Sequence, residues 1–146
     1  MVKKDTIRDY ATEAFRVYAL LGKPTAEELK EKLQNELLRK ARTSAVMTSD
    51  AFWNKYVPVV DDIDAVDKTL EHLEKSKRDY IIKAVEAVYF VCPKRPLKKN
   101  ELTERITAFS FSFGASERTV FYWLKEARSI FASFRGLSEN IYESLQ

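Results

Sequence analysis

The sequence predicts an all-α protein, a helical bundle that ends in a helix-turn-helix. Apolar residues recur every three or four positions along most of the chain, which is the period of an amphipathic helix. Only three Gly and four Pro occur in 146 residues, too few for an all-β protein with many tight turns. Hydrophobic residues make up 45% of the chain, with nine Phe and seven Tyr, so a substantial core is expected.

The first helix is predicted over residues 6–21, with Thr6 as its cap. Gly22 and Pro24 then interrupt the helical pattern. The apolar positions that define its buried face are Ile7, Tyr10, Ala11, Ala14, Val17, Tyr18 and Leu21.

The second helix begins with a capping box formed by Thr25 and Glu28. A leucine stripe flanked by Glu and Lys is typical of a helix that packs against a partner helix. We therefore assign residues 1–60 to packing or oligomerisation and expect a homodimer through residues 1–43. The stripe consists of Ala26, Leu29, Leu33, Leu37 and Ala41.

The middle of the chain predicts a short helix that begins near Ser49 or Asp50 and ends at Pro58. A run of aspartates at 61, 62 and 64 then suits the start of another helix, because carboxylates are favourable at a helix N-terminus. This change in composition divides the chain into residues 1–60 and 61–146.

A long helix is predicted over residues 77–92, ended by Pro93 and Pro96. Its buried side is expected to include Ile81, Ala84, Val85, Val88, Val91 and Cys92.

Several kinds of site are not expected. Cys92 is the only cysteine, which excludes an internal disulfide and suits a reducing cytoplasm. The only histidine, His72, has no nearby partner ligand, so we expect no metal and no cofactor. A nucleophile with a base and a Gly-rich phosphate loop are both missing, so we expect no enzyme. A polar N-terminus and the lack of a long apolar run predict no signal peptide and no membrane span.

Positive charge is concentrated in the C-terminal part. Residues 93–135 contain nine basic and four acidic residues, a net charge of +5, whereas the whole chain carries +3. This distribution permits a nucleic-acid partner.

The helix-turn-helix is predicted in the same part of the chain. Its first helix runs from Glu101 to about Phe109, and Gly114 with Ala115 forms the turn. The Phe-Ser run at 109–113 either extends that helix or lengthens the turn, and we expect its three rings to be buried. The second helix is capped by Ser116 and covers about 116–134. Its predicted apolar face is Val120, Leu124, Ala127, Phe131 and Phe134, with Trp123 and Ile130 beside it.

The opposite face of the second helix carries Arg118, Tyr122, Lys125 and Ser129. Arg reads guanine through two hydrogen bonds, and Lys or Tyr reaches bases or phosphates. We therefore predict Arg118, Tyr122 and Lys125 as base contacts. The predicted phosphate contacts are Ser116 and Thr119 at the helix start, and Lys98, Lys99 and Arg105 before it.

The run from Ala115 to Lys125 resembles the recognition helix of sigma-region-4-like helix-turn-helix proteins. With Ala127-Arg128, Phe131-Ala132 and Arg135-Gly136-Leu137, it is similar to the autolysin-regulator-type (ArpU-like) transcriptional regulators of phages and prophages. The resemblance covers about the last third of the chain. It implies a phage-derived regulator that binds duplex DNA in the major groove and contacts RNA polymerase.

Two other interpretations remain open. An ordinary capped amphipathic helix also exposes Arg and Lys, so the pattern alone does not require DNA. The helical N-terminal half also suits a phage assembly or packaging adaptor, which would form a large ring and lack sequence-specific DNA binding.

Overall fold

The computed structural model describes residues 6–42 and 49–137, without the side chains of residues 41 and 42. These residues contain no strand, so the all-α prediction is confirmed within them. None of their helices combines the length and apolar character that a membrane-spanning helix requires. The helices are α1 (Thr6–Leu20), α2 (Ala26–Arg42), α3 (Ser49–Lys75), α4 (Asp79–Tyr89), α5 (Glu101–Phe113) and α6 (Glu117–Arg135).

The first two helices follow the prediction closely. Thr6 is the first helical residue of α1 rather than its cap. Gly22 has a φ of 85°, a left-handed conformation that suits glycine after a helix end. The Thr25 hydroxyl accepts a hydrogen bond from the Glu28 backbone N–H at 3.2 Å, so Thr25 caps α2 as predicted. The predicted stripe position Ala41 lies outside the described side chains.

The predicted helix end at Pro58 is wrong, because α3 continues through Pro58 to Lys75. Proline lacks the N–H that would bond the carbonyl of Asn54. Both Asn54 and Pro58 are exposed, so water can bond that carbonyl instead. The aspartates at 61–64 consequently lie in the middle of α3. Asp62 accepts hydrogen bonds there from Arg135 of α6 at 2.7 Å and from Tyr10 of α1 at 2.6 Å.

Each of the helices α1 to α6 contributes buried residues to one hydrophobic core, and the predicted boundary between residues 60 and 61 falls within α3. Phe15 of α1 is fully buried at the centre of this core. Its ring stacks on Tyr89 of α4 with centroids 5.6 Å apart, and lies 5.7 Å from the ring of Phe131 of α6. Helices from both sides of the predicted boundary therefore contribute side chains to the same core.

The end of α4 differs from the prediction. The helix ends at Tyr89, and Val91 and Cys92 are exposed rather than buried. Pro93 disfavours a helical conformation in the residue before it, and Cys92 adopts a φ of +49°. The chain therefore leaves the helical path before these two side chains can reach the core.

The Phe-Ser run extends α5 rather than lengthening the turn. The three rings are not all buried as predicted, since Phe111 is 91% exposed and Phe113 is 41% exposed. Phe109 and Phe113 are four residues apart, so they share one helix face and stack at 5.2 Å. Phe111 points away from that face because two residues in a helix rotate the side chain by about 200°.

The apolar face of α6 is confirmed at four of its five predicted positions: Val120, Leu124, Ala127 and Phe131 are buried. Phe134 is 47% exposed, contrary to the prediction. It lies less than one turn before the C-cap Gly136, where its ring reaches the exposed His72 at 6.2 Å instead of the core.

We predict that Phe15→Ala lowers the free energy of unfolding by roughly 3–5 kcal/mol, because it removes a ring at the centre of the core. Phe111→Ala, at a ring 91% exposed, is the matched control and should change stability by less than about 0.5 kcal/mol. Urea unfolding followed by circular dichroism and by tryptophan fluorescence measures both variants. One shared transition is expected for each protein, and two separate transitions would contradict a single core.

Candidate nucleic-acid interface

A three-residue reversal joins α5 to α6. Gly114 has a φ of 87° and its N–H donates to the carbonyl of Ser110, which closes the end of α5. Ser116 is extended, and its hydroxyl accepts from the Thr119 N–H at 3.1 Å. The predicted turn and the predicted N-cap are thus both present in the structure, and they position the first turn of α6.

The face of α6 opposite the core carries the three predicted base-contacting residues, and all three are exposed. The Arg118 guanidinium donates to the Tyr122 hydroxyl at 3.2 Å and lies 5.7 Å from the centroid of that ring. Among the described residues, no carboxylate lies within ion-pair distance of Arg118 or Lys125. Their positive charges therefore face solvent without neutralisation by this part of the protein.

Glu126 borders this face but is itself paired. The guanidinium of Arg78, which precedes α4, donates to its carboxylate at 3.2 Å. This pair lowers the negative charge next to the exposed cations of α6.

The predicted phosphate contacts fall into two groups. Ser116 and Thr119 lie at the start of α6, where their hydroxyls also hydrogen-bond each other at 2.8 Å. Lys98 and Lys99 are exposed on the connector between α4 and α5, residues 90–100. Both groups present cations or helix-terminal N–H groups that suit an anion.

Arg105, also predicted as a phosphate contact, is placed differently. Its side chain is only 12% exposed and pairs with the Glu101 carboxylate. It also donates to the Val88 carbonyl of α4 at 2.8 Å. Because its guanidinium is largely covered and paired with Glu101, Arg105 is less accessible to a phosphate than Lys98 and Lys99, and it joins α5 to α4.

Glu101 is the centre of this ion cluster. Its two carboxylate oxygens accept from the Arg95 guanidinium at 2.8 and 2.7 Å, and one accepts from the Lys98 N–H at 3.0 Å. Hydrogen bonds from Arg95, then the Lys98 N–H and the nearby Arg105 charge, hold the pKa of Glu101 well below its ordinary range. The carboxylate fixes the connector at the start of α5.

A second charged side chain binds the backbone of the connector from α1. Arg16 of α1 is 6% exposed and donates to the backbone carbonyls of Cys92 and Arg95. Its Nε has no hydrogen-bond partner among the described residues. No sequence pattern indicates this role, because Arg16 lies in an amphipathic helix where a charged residue is ordinarily solvated.

Phe121 is a further exposed residue of α6 that the sequence analysis did not single out. Its ring is 45% exposed, close to the Arg118 and Lys125 side of the helix. The spacing along the sequence could have indicated its exposure, since Phe121 lies about 60° from Arg118 around the helix axis.

No family model matches this chain, and searches of curated proteins and of solved structures find no match either. The resemblance to sigma-region-4-like and ArpU-like regulators stays a prediction.

We predict that Glu101→Gln lowers the urea midpoint at pH 7, since Arg95 and Arg105 lose their counter-ion. The folded-state pKa of Glu101 is below its ordinary value of 4.5, so its stabilisation is present above that pH. As the pH falls below about 4.5, Glu101 takes up a proton in the unfolded state before it does so in the folded state. The free energy of unfolding of the wild type therefore decreases. The gap between the two urea midpoints should therefore narrow as the pH falls from 6 to 3. A gap that stays constant over that range would contradict the assigned role.

Proposed function

We propose that this protein binds double-stranded DNA sequence-specifically and acts as a transcriptional regulator, with α5 and α6 as a helix-turn-helix. The observation that carries the proposal is the two-faced character of α6. One face is buried in the core, whereas the other exposes Arg118, Tyr122 and Lys125 with no carboxylate paired to the cations among the described residues.

The size and position of α6 support a recognition helix. An α-helix fits the major groove of B-form DNA, where guanine presents two acceptors to an Arg. Arg118 lies in the first turn of α6, the end that such helices direct at base edges. Its contact with Tyr122 restrains the guanidinium, which reduces the conformational entropy lost on binding.

The surroundings of α6 support phosphate contacts. Ser116 begins the helix, whose first N–H groups and positive dipole end favour a phosphate oxygen. Lys98 and Lys99 add exposed positive charge on the connector to α5. Such contacts supply affinity and register, while the base contacts supply specificity.

Arg118→Ala tests the base-contacting role. We expect it to weaken binding to the preferred duplex by roughly 1–3 kcal/mol and to relax the preference for guanine at one position. A pooled-duplex selection identifies the preferred sequence, and fluorescence anisotropy measures the affinities of wild type and variant. An unchanged preference in the variant would remove Arg118 from the recognition surface.

Two further variants separate base contact from general electrostatics. Lys98→Ala should weaken binding to all sequences equally and reduce the salt slope by about 1. Lys68→Ala is the matched control, because Lys68 is exposed on α3 and paired with Asp64 at 2.9 Å. It should leave affinity and specificity unchanged.

We also propose that the protein is a homodimer in which α2 meets its copy. Among the described helices, α2 packs only against α3, and it leaves Leu38 54% exposed. A dimer would place two recognition helices on two half-sites, as specific helix-turn-helix proteins often require.

Sedimentation equilibrium should give about twice the chain mass of 17.0 kDa, and Leu38→Glu should return the protein to the monomer. A large ring would instead favour the phage assembly or packaging adaptor. A wild-type monomer at micromolar concentration would contradict the dimer.

A further inference from the structure

Phe121 is an apolar side chain on a polar face. It lies three residues after Arg118 and four before Lys125, and its ring is 45% exposed. At about 100° per residue, it lies within about 60° of both cations around α6. Packing in the core does not account for an apolar ring that is partly exposed beside two cations.

Phe121 lies between the core face of α6 and its exposed cationic face. On the core side it lines a cleft together with Leu124 of α6 and with Leu102 and Ile106 of α5, while α1 adds charged side chains to that cleft. Leu124 and Ile106 are buried members of the core. The ring therefore borders the protein on one side and the predicted base contacts on the other.

We propose that Phe121 recognises the C5-methyl group of a thymine next to the guanine contacted by Arg118. This inference rests on the proposed DNA-binding function. Thymine carries its methyl group in the major groove, where Phe makes apolar contact with it. The two side chains are separated by roughly 4.5 Å along the helix, given a rise of 1.5 Å per residue. That distance corresponds to about one or two base-pair steps of roughly 3.4 Å each.

The methyl group can be removed without changing the protein. Each thymine of the preferred duplex is replaced in turn by uracil, which lacks only that methyl, and affinity is measured by anisotropy. For wild type, one thymine within two base pairs of the Arg118 guanine should cost about fourfold in Kd, the equivalent of one buried methyl-sized group. Thymines outside the preferred sequence are the internal control and should cost nothing.

The same duplexes are then measured with Phe121→Ala and with Phe121→Gln, which keeps a long side chain without the ring. Each variant should bind the thymine duplex and the uracil duplex with the same Kd. Specific binding in which no such thymine exists, or in which uracil costs nothing in wild type, overturns the assignment. An equal uracil penalty in wild type and both variants also overturns it. A wild type with no sequence preference is recognised at the selection step and overturns the proposed function together with this inference.

Discussion

The burial of one face of α6 is the constraint on which the rest of the structure depends. Phe131 packs against Phe15 of α1, which in turn stacks on Tyr89 of α4, so three helices meet at one aromatic group. The far end of α6 is tied to α3 and α1 through Arg135, Asp62 and Tyr10. Contacts along the length of α6 restrain its rotation about its own axis. The side chains opposite the core are therefore presented together at the surface, as recognition of base edges would require.

Charged side chains hold the connector before α5, in addition to the packing of Phe90 on the core. Arg16 reaches its backbone carbonyls from α1, and Glu101 binds Arg95 and the Lys98 N–H. Both Arg16 and Glu101 are buried, and such charges are costly unless they are paired or hydrogen-bonded. Removing the Glu101 carboxylate therefore leaves Arg95 and Arg105 without their counter-ion. This arrangement keeps Lys98 exposed on a segment with fixed ends, so a phosphate contact there would not first have to order a loop.

The sequence was sufficient for the features that depend on local periodicity and capping. Thr25 and Ser116 cap their helices as predicted, and the inner face of α6 follows from its spacing. The errors arose where distant contacts decide the outcome. A proline ends helices by local rules, yet α3 continues through Pro58, which lies on an exposed side of the helix while Phe52 and Val60 on its two flanks are buried. Arg105 was predicted as a phosphate contact. Its i,i+4 spacing from Glu101 already indicated the ion pair, but its hydrogen bond to the Val88 carbonyl of α4 depends on the tertiary fold.

Mapping the contact surface residue by residue tests the central claim most directly. Amide chemical shifts of the labelled protein are followed while its preferred duplex is added, at low and at high salt. We predict that the perturbed amides cluster from Ser116 to Ser129 on the exposed side of α6 and around Lys98 and Lys99, and weaken at high salt. The amide chemical shifts of α2 should not change. Perturbations confined to α2 and α3, with α6 unchanged, would contradict the account.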